Sequence, residues 1–207
     1  MGTVVLAFSG ALLLAARSRW VLVLIPLAPL AVMLYSGNLA SKMLGTRKPN
    51  LKQYFLIKDF VIAAGWAFLL LVTVLYHSRP MMVEQWLFLI PLLMKLFVMA
   101  SAYDFKDIKS DRRTSVRTLP VVIGERSSKL VLHVLNTVAT ALILLLVYSG
   151  YLPLLGLVFL PAFIYQSVMI HLIRENAPAW VYFIICDLEQ FFWLVFLGIG
   201  GGMIGYF

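Results

Sequence analysis

Apolar stretches separated by short polar segments run along the whole chain. A membrane-spanning helix needs about 20 mostly apolar residues. Seven stretches approach this length: residues 3–16, 20–36, 54–76, 84–103, 128–149, 152–173 and 179–206. The pattern therefore predicts an all-α polytopic membrane protein, a bundle of about seven transmembrane helices forming a single domain over residues 1–207.

The composition agrees with this class and excludes others. Hydrophobic residues make up 62% of the chain and charged residues 13%, whereas soluble domains are roughly 45–50% apolar and about 25% charged. The net charge of +8 does not indicate nucleic-acid binding, because the basic residues lie in loops between apolar runs. The single Cys186 excludes a disulfide framework and a cysteine zinc site.

The distribution of Lys and Arg predicts the orientation, because cytoplasmic loops are enriched in these residues. The loops after spans 1, 3 and 5 carry Arg17, Arg19 and Arg79. The loops after spans 2, 4 and 6 carry twelve: Lys42, Arg47, Lys48, Lys52, Lys106, Lys109, Arg112, Arg113, Arg117, Arg126, Lys129 and Arg174. We therefore expect the second set of loops in the cytoplasm, with the amino terminus inside and the carboxyl terminus outside.

Three aspartates follow span 4 at regular spacing. Asp104, Asp107 and Asp111 stand at positions i, i+3 and i+7, which share one face if the helix of span 4 continues into the cytoplasm. Stacked carboxylates repel one another unless a positive charge lies among them, and Mg²⁺ typically takes one or two carboxylates together with phosphate oxygens and water. The spacing favours a magnesium site, although a solvated loop of mixed charge would have a similar composition.

Basic residues interleave with these aspartates and could bind the remaining oxygens of a diphosphate. The candidates in this stretch are Lys106, Arg112 and Arg117. An ordered Arg117-Thr-Leu-Pro120 segment follows them.

The pattern Asp-x-x-Asp-x-x-x-Asp, followed by Arg-Thr-Leu-Pro-Val-x-x-Gly over residues 117–124, strongly resembles the second aspartate-rich motif of the UbiA family of intramembrane prenyltransferases. Residues 57–66 resemble the helix after that family's middle cytoplasmic loop, and spans 5 to 7 fit the three helices that follow its second motif.

The resemblance implies a helical prenyltransferase that moves a prenyl group from a polyprenyl diphosphate to a hydrophobic acceptor. Such an acceptor is an aromatic or quinone precursor, a porphyrin-type ring or a polar lipid. Magnesium would assist departure of the diphosphate, with Asp104, Asp107 and Asp111 as its ligands and the catalytic residues. A Tyr-x-x-x-Lys pattern is frequent in the family's middle loop; Leu39 stands at the lysine position here, and Lys42 is the nearest substitute.

The sequence departs from the family in one respect. It contains no counterpart of the first aspartate-rich motif, and the simplest alignment begins at the family's third helix, so that the fold would lack the first two. A missing N-terminal segment or a partner subunit would supply them. The alternatives to an active enzyme are a catalytically incomplete relative or partner subunit and, from another class, a transporter.

Three ionisable residues lie inside apolar spans, where such residues usually face the bundle interior or a wet cavity. Lys95 is in the middle of span 4, whereas Asp187 and Glu189 are in span 7. We expect Lys95 to pair with one of these two carboxylates, or else to line the cavity with them. Near the start of span 3, Lys58 and Asp59 are candidates either for an interfacial anchor or for the mouth of the site.

The resemblance yields a first prediction. Replacing both Asp104→Asn and Asp107→Asn should abolish magnesium-dependent prenyl transfer and leave membrane insertion intact, because the substitutions remove ligand charge from a cytoplasmic helix end. Product formation and the membrane-inserted fraction would be measured on the same preparation. Unchanged turnover would contradict the site.

Overall fold

The computed structural model describes residues 55–76 and 83–204. The predicted spans over residues 3–16 and 20–36, and Lys42, lie outside the described residues. The described part contains helices and no strand: α1 (Ile57–Tyr76), α2 (Val83–Arg113), α3 (Leu119–Ile123), α4 (Glu125–Tyr148), a 3₁₀ helix (Leu154–Val158), α5 (Phe159–Leu172), a π-helix (Val181–Cys186) and α6 (Glu189–Ile204).

A chain in lipid is expected to be helical, because the lipid offers no hydrogen bonds and the backbone groups must be hydrogen-bonded within the segment itself. Within the described residues, three helices are long and apolar enough to cross a membrane: Trp86–Arg113, Glu125–Tyr148 and Leu154–Leu172. The outer face of α4 exposes apolar side chains such as Leu130, Val134 and Leu145, as expected of a surface that faces lipid. The prediction of a polytopic helical bundle is confirmed.

The central element is α2, which packs against α1, α3, α4, α5 and the π-helix. Its residues Val98, Ala102 and Phe105 are buried against α4, α5 and the π-helix, whereas Leu92, Leu96 and Met99 pack towards α1. This helix continues past the apolar span to Arg113, so the expected helical extension carrying the aspartates exists; its location in the cytoplasm stays a prediction.

The predicted span over residues 179–206 is not one continuous α-helix. A π-helix over Val181–Cys186 precedes α6, and the amide of Asp187 donates to the carbonyl of Tyr182 at 2.9 Å, five residues back. A π turn contains an extra residue relative to an α turn, which the apolar pattern does not reveal. The hydroxyl of Tyr165 donates to the carbonyl of Ile185 within this segment at 2.5 Å.

Two glycines occupy positions that their lack of a side chain explains. Gly124 joins α3 to α4 with φ of 81°, a conformation that residues with a Cβ rarely adopt. Gly200 of α6 lies against Val158, where a Cβ would find no room. The glycine-rich end of the last helix therefore permits a close approach to the 3₁₀ helix.

A buried polar network connects α2, α4 and α5. The Nζ of Lys95 donates to Oδ1 of Asn136 at 2.5 Å, and Nδ2 of Asn136 donates to the carbonyl of Phe163 and to Oγ of Ser167, both at 3.1 Å. Lys95 therefore pairs inside the bundle as expected, but its hydrogen-bond partner is an amide and not Asp187 or Glu189. An asparagine can accept from the ammonium and still donate twice to another helix, which a carboxylate cannot do.

Glu189 belongs to the same buried region. The Nε2 of Gln166 donates to Oε1 of Glu189 at 2.6 Å and lies 3.3 Å from the carbonyl oxygen of Lys95. Gln166 and Glu189 are both completely buried. Helix α6 is therefore anchored by its first residue to α5 and α2.

Removing the amide of Asn136 should destabilise the bundle. Asn136→Ala leaves the Lys95 ammonium without its hydrogen-bond acceptor, and a hydrogen bond to a charged group contributes about 2 kcal/mol. Unfolding in detergent micelles would measure the loss. The control is Thr137→Ala, an exposed neighbour whose hydroxyl bonds only to the His133 carbonyl of its own helix; equal stability of the two variants would contradict the role of the network.

Candidate active site

The C-terminal end of α2 presents the predicted aspartates at different depths. Asp104 is completely buried and Asp111 is 7% exposed, whereas Asp107 is half-buried. Asp104 and Asp111 are separated by two helical turns and therefore lie on the same face. This face turns towards the start of α1.

Lys58, in the first turn of α1, links the two buried aspartates. Its Nζ lies 2.6 Å from Oδ1 of Asp104 and 3.8 Å from Oδ2 of Asp111. The Lys58 side chain is 24% exposed and that of Asp104 is fully buried. Lys58 is therefore in contact with the predicted aspartates; its role at the mouth of a site stays a prediction. Lys58 supplies the positive charge that the stacked carboxylates need.

A further carboxyl group, Asp59, joins this cluster; with Lys58 it was a candidate either for an interfacial anchor or for the mouth of the site. Asp59 is completely buried, and the hydroxyl of Ser101 donates to its Oδ2 at 2.9 Å. Its carboxyl group lies next to that of Asp104. Two adjacent carboxylates repel each other unless a proton or cation lies between them. The only signal in the sequence was the Lys-Asp pair at a helix start.

The turn after α2 closes over Asp111. The amide of Val116 donates to the carbonyl of Asp111 at 2.9 Å, and Ser115 adopts φ of 57° to reverse the chain. The buried Thr118 then begins the short α3, which packs on α2 and α4. The Arg-Thr-Leu-Pro segment is thus an ordered structure that covers the third aspartate and not a solvated loop.

The carboxylate oxygens of this cluster show which kind of magnesium site the residues could form. Among the described residues, Oδ1 of Asp59, Oδ2 of Asp104 and Oδ2 of Asp111 are buried without a hydrogen-bond partner. No group of three or more His, Cys, Asp or Glu side chains in that part of the chain is arranged to enclose a metal ion. The donor set therefore fits an ion held by one or two carboxylates and completed by phosphate and water, and not an all-protein cage.

Of the predicted diphosphate-binding residues, the three that the structure describes lie outside this cluster. Lys106, Arg112 and Arg117 are exposed, and the Nζ of Lys106 lies 5.2 Å from the centre of the Tyr103 ring. Their role in binding a diphosphate stays a prediction, as does that of Asp107. Lys58 was not among the predicted phosphate ligands, although it is the cation in contact with the buried aspartates.

A cavity of about 250 Å³ opens beside the cluster. Lys58 and Asp104 line it together with the apolar residues Ile62, Trp66, Met99 and Ala100; its remaining residues are Tyr103, Cys186 and Asp187. The Tyr103 hydroxyl donates to Oδ1 of Asp187 at 2.7 Å. Of the three intramembrane candidates, Asp187 lines this cavity, whereas Lys95 and Glu189 belong to the buried network.

The Lys58–Asp104 pair should be energetically coupled. In a double-mutant cycle with Lys58→Met and Asp104→Asn, unfolding in micelles should give a coupling free energy of about 2 kcal/mol, because the aspartate is buried and its hydrogen bond is charged.

The control cycle uses Lys109 and Glu175, whose atoms lie 3.6 Å apart with the Lys109 side chain 67% exposed. That coupling should stay below about 0.5 kcal/mol, since water screens exposed pairs. Equal coupling in the two cycles would contradict a special role for Lys58.

Comparison with known proteins agrees with the helical architecture. No curated protein and no solved structure matches the chain. The family model described as "UbiA prenyltransferase family" matches residues 1–197. Because this match covers nearly the whole sequence, the chain is an integral membrane protein that belongs to the UbiA prenyltransferase family.

Proposed function

We propose that the chain transfers a prenyl group from a polyprenyl diphosphate to a hydrophobic acceptor, and that the reaction takes place in the cavity between α1, α2 and the π-helix. The observation that carries the proposal is the Lys58 ammonium held between the buried carboxylates of Asp104 and Asp111. A cation and unpartnered carboxylate oxygens at the mouth of an apolar cavity match a substrate with an anionic head and an apolar tail.

The diphosphate head would bind at the end lined by Lys58 and Asp104. Asp104 and Asp111 would hold Mg²⁺, with Asp107 as a further predicted ligand; the bound ion neutralises charge that develops on the departing diphosphate. Lys58 would then exchange its carboxylate partners for a phosphate oxygen. Lys106, Arg112, Arg117 and Lys42 are the proposed outer contacts of the phosphates, on the cytoplasmic side of the membrane.

The apolar part of the cavity suits the carbon chain. Ile62, Met99 and Ala100 offer surfaces that exclude water from an allylic cation, which water would otherwise capture. The Trp66 ring also lines this space, and aromatic faces attract cations by about 0.5–2 kcal/mol. The acceptor would be an aromatic or quinone precursor, a porphyrin-type ring or a lipid.

A second candidate is a relative that binds the diphosphate without transferring the prenyl group. The sequence favours it in one respect, because it contains a single aspartate-rich motif where the resemblance implies two. The two candidates differ in product formation and not in donor binding.

The decisive assay uses the full chain in liposomes with tritiated geranylgeranyl diphosphate and a lipid extract of the source membranes as the pool of acceptors. We expect the label to move into a lipid-soluble product with Mg²⁺ and to stay on the diphosphate with EDTA. Asp104→Asn and Asp111→Asn should each reduce transfer by about 100-fold, since each removes charge stabilisation from the leaving group.

The matched control is Glu175→Gln, which removes one carboxylate from the loop after α5 and should leave transfer unchanged. Transfer by Asp104→Asn or Asp111→Asn at the level of this control would contradict the site. Donor binding without product in the unsubstituted chain would favour the binding-only candidate.

A further inference from the structure

We infer that Asp187, held by Tyr103, orients the acceptor and takes up its proton, and that it selects an acceptor that presents an uncharged hydroxyl group. The inference rests on the proposed function and concerns another part of the lining of the same cavity. Asp187 lines the cavity with Tyr103, and its Oδ1 accepts the tyrosine hydroxyl at 2.7 Å.

The geometry leaves Asp187 able to accept a second hydrogen bond. An ionised carboxylate has about four acceptor positions on its two oxygens, and the tyrosine hydroxyl occupies one. Asp187 is exposed, in contrast to the completely buried Asp59, Asp104 and Glu189. A ligand in the cavity can therefore reach it.

The negative charge of Asp187 decides which kind of substrate group can bind beside it. A carboxylate repels a diphosphate, whereas the Lys58 ammonium, which also lines the cavity, attracts it. The group that binds beside Asp187 must donate a hydrogen bond, and it cannot itself be an anion without repulsion. A neutral hydroxyl satisfies both conditions, whereas an acceptor that presents a carboxylate here does not.

The backbone around Asp187 is held in place by hydrogen bonds of residues that do not line the cavity. Its amide bonds to the carbonyl of Tyr182. Two residues later, Glu189 is anchored by Gln166 at 2.6 Å. The carboxylate is thus held between a π turn and a buried anchor, which restricts where it can point.

The proposed step balances without another reactant. The bond between the allylic carbon and the diphosphate oxygen breaks, and its electron pair leaves with the diphosphate. An electron pair of the acceptor forms the new bond to the allylic carbon, and the hydroxyl proton moves to Asp187. The carboxylate thereby becomes a carboxylic acid, which returns its proton to water after product release.

The test is a binding measurement that requires neither donor nor magnesium. Three probes share one tail and differ in the head: 4-hexylphenol donates a hydrogen bond, 4-hexylanisole does not, and 4-hexylbenzoate is an anion. Binding to the full chain in nanodiscs would be measured by competition with tritiated 4-hexylphenol, with empty nanodiscs as background. We expect the phenol to bind about tenfold more tightly than the anisole, the effect of one charge-assisted hydrogen bond, and the benzoate to bind most weakly.

The variants separate a direct role from a structural one. Asp187→Asn should bring the phenol and the anisole within about twofold of each other and strengthen benzoate binding, because the negative charge is gone. Tyr103→Phe keeps the ring and the carboxylate and should retain part of the preference. Glu175→Gln, the matched removal of a distant carboxylate, should behave as the unsubstituted chain.

Catalysis gives an independent readout. In the liposome assay, Asp187→Asn should reduce transfer to a hydroxyl acceptor while binding of the prenyl diphosphate donor with Mg²⁺ stays that of the unsubstituted chain. The inference is overturned if the unsubstituted chain shows no preference for the phenol, if Asp187→Asn keeps the preference of Glu175→Gln, or if transfer and donor binding fall together. If the unsubstituted chain prefers the phenol but transfers no prenyl group, the proposed function is contradicted and the role of Asp187 in acceptor binding is not.

Discussion

The ion pair between Lys58 and the aspartates of α2 is the interaction on which the site depends. Buried carboxylates are costly unless a cation or hydrogen-bond donors accompany them, and Asp104 has Lys58 at 2.6 Å. Because the ammonium comes from α1 and the carboxylates from α2, the pair also joins these two helices at the cavity mouth. This ion pair therefore also fixes the local packing at the mouth of the cavity.

Much of the fold could be predicted from apolar length alone, since lipid permits few alternatives to helices. The extension of α2 to Arg113 was also predictable, because aspartates at i, i+3 and i+7 suggest a continuous face. The break between the π-helix and α6 could not be predicted, because a π turn does not change the hydropathy pattern. That break nevertheless places Asp187 at the cavity and Glu189 in the buried network, two neighbours with different surroundings.

Only the part of the site that lies within one helix could be predicted from the sequence. The spacing of Asp104 and Asp111 indicated one face, but the partner Lys58 stands 46 residues away, and a single sequence contains no signal for such a contact. Charge complementarity also misled the assignment of Lys95. Pairing by charge selects Asp187 or Glu189, whereas the bundle satisfies the ammonium with Asn136, an amide that can bridge to a further helix.

Adjacent residues of α2 contact different helices around the cavity. Tyr103 and Asp104 are consecutive, and consecutive side chains diverge by about 100° around a helix. Asp104 consequently meets Lys58 on α1, while Tyr103 meets Asp187 beside the π-helix. One helix thus sets both contacts, so a rotation of α2 would displace both together. The anchoring of α2 by Lys95, Asn136 and Gln166 deeper in the bundle resists that rotation and links the buried network to the chemistry of the mouth.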